Sequence, residues 1–105
     1  MHTLHQLMER IRRPRTGGHA ARLMRKGLDK ALQKFGEESV ELIIAAKCPD
    51  KQEIIEEAAD VIYHLCVVLN MKDIDDTAVW DAIQRRLDAA ESNEPQALTN
   101  STKIP

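Results

Sequence analysis

Two carboxylate pairs limit what this chain can fold into. Glu38 and Glu41 stand at i, i+3 within Lys34-Phe-Gly-Glu-Glu-Ser-Val-Glu41, and Glu57 and Asp60 repeat that spacing within Glu56-Glu-Ala-Ala-Asp60. Both stretches lie in segments with helical periodicity. On a helix, residues at i, i+3 share a face, with Cβ atoms about 5–6 Å apart. Like charges so placed repel, so the pairs give their helices nothing by themselves. Two antiparallel helices that set such pairs against each other gather four oxygen donors. A hard divalent cation, Mg²⁺ or Mn²⁺, then turns the repulsion into binding. The spacing therefore predicts a helical hairpin organised around Glu38, Glu41, Glu57 and Asp60. A solvated acidic face accounts for any single pair. It accounts less well for two pairs on consecutive helices, each hard against an apolar stripe and the second interrupted by small Ala58 and Ala59.

The rest of the chain suits such a hairpin. Its 105 residues make one domain rather than two. A domain of this size buries only ~60–68% of its unfolded-chain surface, so burial against a partner subunit would help. Aromatic content of 3% beside 43% hydrophobic and 30% charged residues favours an all-α bundle over a sandwich of sheets. The net charge of −2 does not point to nucleic acid. The charge is uneven, however. Arg10, Arg12, Arg13, Arg15, Arg22, Arg25, Lys26, Lys30 and Lys34 load the first third, and acids dominate from Glu37 to Asp60. Base for phosphates and acid for a metal suits a phosphorylated ligand. Cys48 and Cys66 form no CxxC and no zinc spacing, and Cys66 falls on an apolar face as a buried thiol. There is no apolar leader and no run near the roughly 20 residues that span a bilayer, so a soluble, cytoplasmic protein without a membrane partner is expected.

In chain order, the pattern predicts a first helix from Thr3 to about Arg13, with Thr3 and Gln6 as a capping box and Leu4, Leu7, Met8 and Ile11 as its stripe. Pro14 and Gly17-Gly18 break it. A second helix is predicted from about His19 to Lys47, with Met24, Leu28, Ala31, Phe35, Leu42 and Ala46 on one face and a kink at Gly36. Val40, Leu42, Ile43 and Ile44 are apolar almost all round, which points to a dimer interface that completes the core. Asp50 with Glu53 caps a third helix to about Asn70, whose apolar side is Ile54, Ile55, Ala58, Val61, Ile62, Leu65 and Leu69. Glu53, Glu57, Asp60 and His64 form its polar stripe. A fourth helix starts near Asp73–Asp76 and ends about Ala90, giving one domain over 1–90 and a polar, disordered tail over 91–105.

Several other residues invite a role. His64 lies one turn beyond Asp60, either bonded to a carboxylate or in contact with substrate. Lys26, Lys30 and Lys34 lie on one side of the second helix, as i, i+4 partners of acids or as phosphate ligands. The chain has no Walker-type loop, no GxSxG and no HExxH, and neither carboxylate helix supplies the Glu-x-x-His of a di-iron bundle.

Lys26-Gly-Leu-Asp-Lys30, Lys34-Phe-Gly-Glu-Glu-Ser-Val-Glu41, Ala45-Ala-Lys47 and Glu56-Glu-Ala-Ala-Asp-Val-Ile-Tyr-His-Leu65 together resemble the phosphoribosyl-ATP pyrophosphohydrolases of histidine biosynthesis, within the MazG-type nucleotide pyrophosphohydrolases. The resemblance covers roughly 20–87. It implies an all-α, four-to-five-helix MazG-like bundle that forms a homodimer or higher homo-oligomer. It implies Mg²⁺ on Glu38, Glu41, Glu57 and Asp60, with Mn²⁺ as a substitute. The reaction implied is hydrolysis of phosphoribosyl-ATP to phosphoribosyl-AMP and pyrophosphate. Glu37 or Glu41 would take the attacking water's proton, and Arg22, Lys26, Lys30, Lys34 and His64 would bind substrate. The cyclohydrolase domain fused to some relatives is absent, so a stand-alone enzyme is expected. One departure is that family members commonly carry Ser-Tyr-Thr where this chain has Gly17-Gly18-His19. Two rivals stay open: a house-cleaning enzyme acting on (deoxy)nucleoside triphosphates with the same metal site, and a non-catalytic helical dimerisation module.

Overall fold

The structure, a computed structural model, describes residues 2–13 and 18–93. These form α1 (His2–Arg12), α2 (His19–Arg25), α3 (Leu28–Ala46), α4 (Lys51–Met71) and α5 (Asp76–Asn93), with no strand among the described residues. The fold is all-α, as expected. The α3–α4 hairpin, closed by the short loop 47–50, is its largest packing unit.

Local chemistry explains the boundaries. The Asp50 carboxylate accepts from the backbone amides of Gln52 (3.0 Å) and Glu53 (3.3 Å), which starts α4 where the sequence predicts. Such a cap contributes ~0.5–2 kcal/mol. At the other end of α4, Asp73 adopts φ 57°, its amide donates to the Asn70 carbonyl (3.1 Å), and the Ile74 amide donates to the Leu69 carbonyl (2.9 Å). This paired closure satisfies the last carbonyls of the helix. Asp75 precedes α5 and accepts from the Thr77 hydroxyl at 2.6 Å.

Three boundaries differ from the sequence reading. The helix expected over 19–47 is two helices. Gly27 separates them at φ 99°, ψ 169°, a conformation open essentially to glycine alone. Gly36 lies inside α3, and the helix continues through it because a single glycine lowers helix propensity without removing a hydrogen bond. α1 already includes His2, so Thr3 lies within the helix and does not cap it. α5 continues through Glu91, Ser92 and Asn93, past the end expected at Ala90; Glu91 and Ser92 are exposed, and neither is a glycine or proline that would stop the helix. Arg15 and the rest of the expected tail, 94–105, lie outside the described residues.

The core sits at one end of the hairpin. Met8 and Ile11 of α1, Ala20 and Leu23 of α2, Ala31 of α3, and Cys66 and Val67 of α4 are buried together. Tyr63, Leu69 and Met71 pack against them. The stripe read for α4 is therefore only half right. Ile55 is 58% exposed and Leu65 36%, whereas His64, Cys66 and Val67 turn inward. The opposite end of the hairpin is apolar and open, with Val40 54%, Ile43 62% and Ile44 62% exposed. α5 is held to α1 by Arg12–Asp75 (2.7 Å) and His5–Asp76 (3.6 Å), and Trp80 donates to Asp76 from Nε1 (3.2 Å). Both cysteines are free, Cys66 buried as expected and Cys48 exposed. Among the described residues no helix is long and apolar enough to cross a membrane.

Candidate metal centre

α3 and α4 bring Glu38, Glu57 and Asp60 together, with one carboxylate oxygen from each lying within 4.8 Å of the others. Two of the three come from one turn of α4, and the third faces them from α3. Glu38 and Glu57 are half-buried and Asp60 is exposed, so the group opens to solvent on one side. Oε1 of Glu57 is buried and accepts no hydrogen bond. Burial, then the charges of Glu41, Asp60, Glu38 and Glu53, push the Glu57 carboxyl above its ordinary range. Crowded anionic oxygens with one acceptor unfilled fit a hard divalent cation, which supplies the missing charge. Glu41 is exposed and stays outside the three-oxygen group, yet among the charges acting on Glu57 its own is the largest.

Glu37 is engaged elsewhere. It accepts from Gln33 Nε2 at 2.9 Å and pairs with Lys34 Nζ at 3.4 Å. The Gln33 hydrogen bond, followed by Lys34, holds it below the usual carboxylate range and makes it a weaker base. Lys30 is half-buried on the same helix, and its charge also acts on Glu37.

Of the other predicted ligands of substrate, His64 lies beside His19, which the sequence reading named only within the departure Gly17-Gly18-His19. The His19 ring centroid lies 5.8 Å from that of Tyr63 and 5.7 Å from that of His64, and Tyr63 and His64 are 5.4 Å apart. These separations are those of interacting rings. Burial lowers the His19 pKa, and the charges of His64, Arg22, Lys34 and Lys26 lower it further. Arg22 and Lys26 are themselves exposed. His64 is not in the exposed polar stripe. It is 6% exposed, its Nδ1 bonds the backbone carbonyl of Asp60 rather than a carboxylate, and its Nε2 is buried without a partner. The break at Gly27 separates α2, which carries His19, from α3, so one continuous helix does not set the position of His19. In a chain with so few rings, Tyr63 beside His64 and one turn from Asp60 was the available signal.

The comparisons with known proteins agree with this architecture. The profile of the phosphoribosyl-ATP pyrophosphohydrolase family matches residues 1–87. A phosphoribosyl-ATP pyrophosphatase from Geotalea daltonii is 41% identical over 80 residues, 76% of each chain. The enzyme of that name from Listeria monocytogenes is 45% identical over 87 residues, 79% of this chain and 84% of the other. A histidine biosynthesis bifunctional protein from Caldanaerobacter subterraneus is 41% identical over 87 residues, which cover 79% of this chain and 42% of that longer one. With a family match across all but the last part of the chain, and helices consistent with a MazG-like fold, this chain belongs to the phosphoribosyl-ATP pyrophosphohydrolase family.

Proposed function

We propose that this chain hydrolyses phosphoribosyl-ATP between its α and β phosphates, giving phosphoribosyl-AMP and pyrophosphate, with Mg²⁺ held by Glu38, Glu57 and Asp60 and with Glu41 beside them. The observation that carries the reading is the convergence of three carboxylates from α3 and α4 in a member of this family. When bound, the cation supplies charge neutralisation for the phosphates and acidifies water. Mn²⁺ suits the same oxygen donors.

The chain's own residues supply the rest. Water's oxygen bonds to phosphorus, the bridging oxygen leaves with pyrophosphate, and the water's proton passes to a carboxylate. Glu41 is the better base, because Glu37 is committed to Gln33 and Lys34. Lys26, Lys30, Lys34 and Arg22 meet the charge that develops on the leaving pyrophosphate. The open apolar end of the hairpin, Val40, Ile43, Ile44 and Ile55, supports a homodimer whose second copy covers it.

Pyrophosphate release in the presence of Mg²⁺, from phosphoribosyl-ATP beside ATP and a deoxynucleotide panel, tests the reading. Selective turnover of phosphoribosyl-ATP is expected. Preference for ordinary triphosphates would reject the substrate and keep the metal centre. Turnover that survives both Asp60→Asn and Glu57→Gln would reject the metal centre.

A further inference from the structure

Beyond the carboxylates lies a cleft of about 320 Å³ between α1 and the start of α2, lined by Leu7, Arg10, Ile11, His19, Ala20 and Tyr63. Leu7, Ile11 and Ala20 give it apolar walls, and His19 and Tyr63 supply two rings. Arg10 is exposed, and no carboxylate of the described residues pairs with it. Tyr63 stands at i+3 from Asp60 on α4, and its ring lies 5.4 Å from that of His64, whose Nδ1 bonds the Asp60 backbone carbonyl, so one turn of α4 links the cleft to the metal centre. Lys26 and Lys34 are close enough to His19 for their charges to act on its ring.

The substrate named above has two charged ends. Its triphosphate belongs with the carboxylates and the lysines of α3. Its other end, which ATP lacks, is a second ribose carrying its own phosphate. The cleft sets the two rings and the Arg10 guanidinium around one space. Rings suit a purine, and guanidinium suits a phosphate, with which it makes paired charge-assisted hydrogen bonds.

We propose, resting on the substrate reading above, that this cleft receives the phosphoribosyl-adenine end, with His19 and Tyr63 against the base and Arg10 on the ribose phosphate. The cleft, rather than the metal centre, then distinguishes phosphoribosyl-ATP from ATP.

The test is steady-state kinetics on full-length wild type, Arg10→Gln, Tyr63→Ala and Tyr63→Phe, with inhibition by pyrophosphate in Mg²⁺ measured on each. Pyrophosphate reports the metal end alone and also reports whether a variant is folded. Arg10→Gln is expected to lower kcat/KM for phosphoribosyl-ATP about ten- to hundredfold, the worth of a charge-assisted hydrogen bond, carried by KM. The pyrophosphate inhibition constant should stay within about twofold of wild type, and Tyr63→Phe should rescue what Tyr63→Ala loses. An unchanged KM in Arg10→Gln overturns the proposal. So does a parallel rise in KM and in the pyrophosphate constant, which would move Arg10 to the other end of the substrate. A wild type that does not turn over phosphoribosyl-ATP at all, yet is inhibited by pyrophosphate and hydrolyses ordinary triphosphates, instead overturns the substrate reading itself.

Discussion

The ring of His64 donates from Nδ1 to the backbone carbonyl of Asp60 at 2.8 Å, one turn back along α4. A carbonyl only accepts, so this bond fixes the tautomer of the neutral ring and leaves Nε2 as a lone-pair acceptor. Nε2 is buried and unpartnered, and an orphaned acceptor costs ~1–3 kcal/mol. A ligand hydroxyl or amino group that donates to it would recover that cost only in the complex. His64→Phe keeps the ring volume and removes both nitrogens. Its melting temperature is expected to stay near that of wild type, while KM rises about tenfold, one hydrogen bond's worth. A KM equal to wild type would make His64 a packing residue only.

Glu57 carries the next prediction. Its carboxylate is half-buried, one oxygen has no donor, and Glu38, Asp60 and Glu41 all add negative charge. Without a cation this arrangement opposes folding. Glu57→Gln is therefore expected to melt higher than wild type in a chelator and to lose most of the stabilisation that wild type gains from millimolar Mg²⁺. Thermal melts of both proteins, with and without Mg²⁺, check it. A variant that melts lower in chelator, and still rises with Mg²⁺ as wild type does, would contradict the assignment.

The contrast between Asp60 and His64 also shows how far the sequence could be read. An i, i+3 carboxylate spacing survives folding because a helix fixes it locally, so the meeting of Glu38 with Glu57 and Asp60 was legible from the pattern and needed only the short loop 47–50 to close. His64 was misplaced because a helical projection assigns every residue on an arc the same environment. The inward side of α4 changes along its length, from the hairpin at Glu57 to α1 and α2 at His64, and that change depends on neighbours absent from the projection. His19 was missed for a related reason. With the break at Gly27, one continuous helix does not set its position, and a lone Gly beside a second one at Gly36 does not reveal which of the two interrupts the helix.

That break yields a prediction of its own. A Cβ added at Gly27 meets no atom within 4 Å, so the cost of a side chain there is conformational rather than steric crowding. At φ 99° and ψ 169° the penalty is ~1–3 kcal/mol. Gly27→Ala is expected to lose that much in urea denaturation, while Gly36→Ala, inside α3, gains ~1 kcal/mol from helix propensity. Equal responses of the two variants would mean that the break between α2 and α3 is not held by the glycine.

The clasp between α1 and α5 is predicted to fail in acid. The hydrogen bond from Thr77, with a further one from Arg12, holds Asp75 below its ordinary value of 3.8. A carboxyl depressed on folding stabilises the fold above its unfolded pKa, and that contribution is lost as pH falls through the folded value. The Asp75 contribution is thus complete above about pH 4 and disappears below it. Asp75→Asn should flatten the acid limb of a stability-against-pH curve measured from pH 5 to pH 2, relative to wild type. Parallel curves for the two proteins would show that Asp75 does not couple the helices to pH.

The last prediction concerns the open end of the hairpin. Val40, Ile43, Ile44 and Ile55 are more than half exposed in a single chain, in a protein too small to waste apolar burial. If a second copy covers them, stability belongs partly to the dimer and depends on protein concentration. Ile43, at 62% exposure, makes a clean probe, since an exposed residue of an isolated chain tolerates substitution within about 0.5 kcal/mol. Ile43→Lys is therefore expected to turn a sedimenting dimer into a monomer, lower the melting temperature, and abolish its rise with concentration. The metal carboxylates lie on the same two helices, so catalysis should fall with the dimer if the hairpin needs its partner to hold Glu38 against Glu57. Sedimentation velocity and melts over a hundredfold range of concentration decide the matter: wild type that behaves as a monomer throughout, with Ile43→Lys indistinguishable from it, would leave the apolar face without this partner.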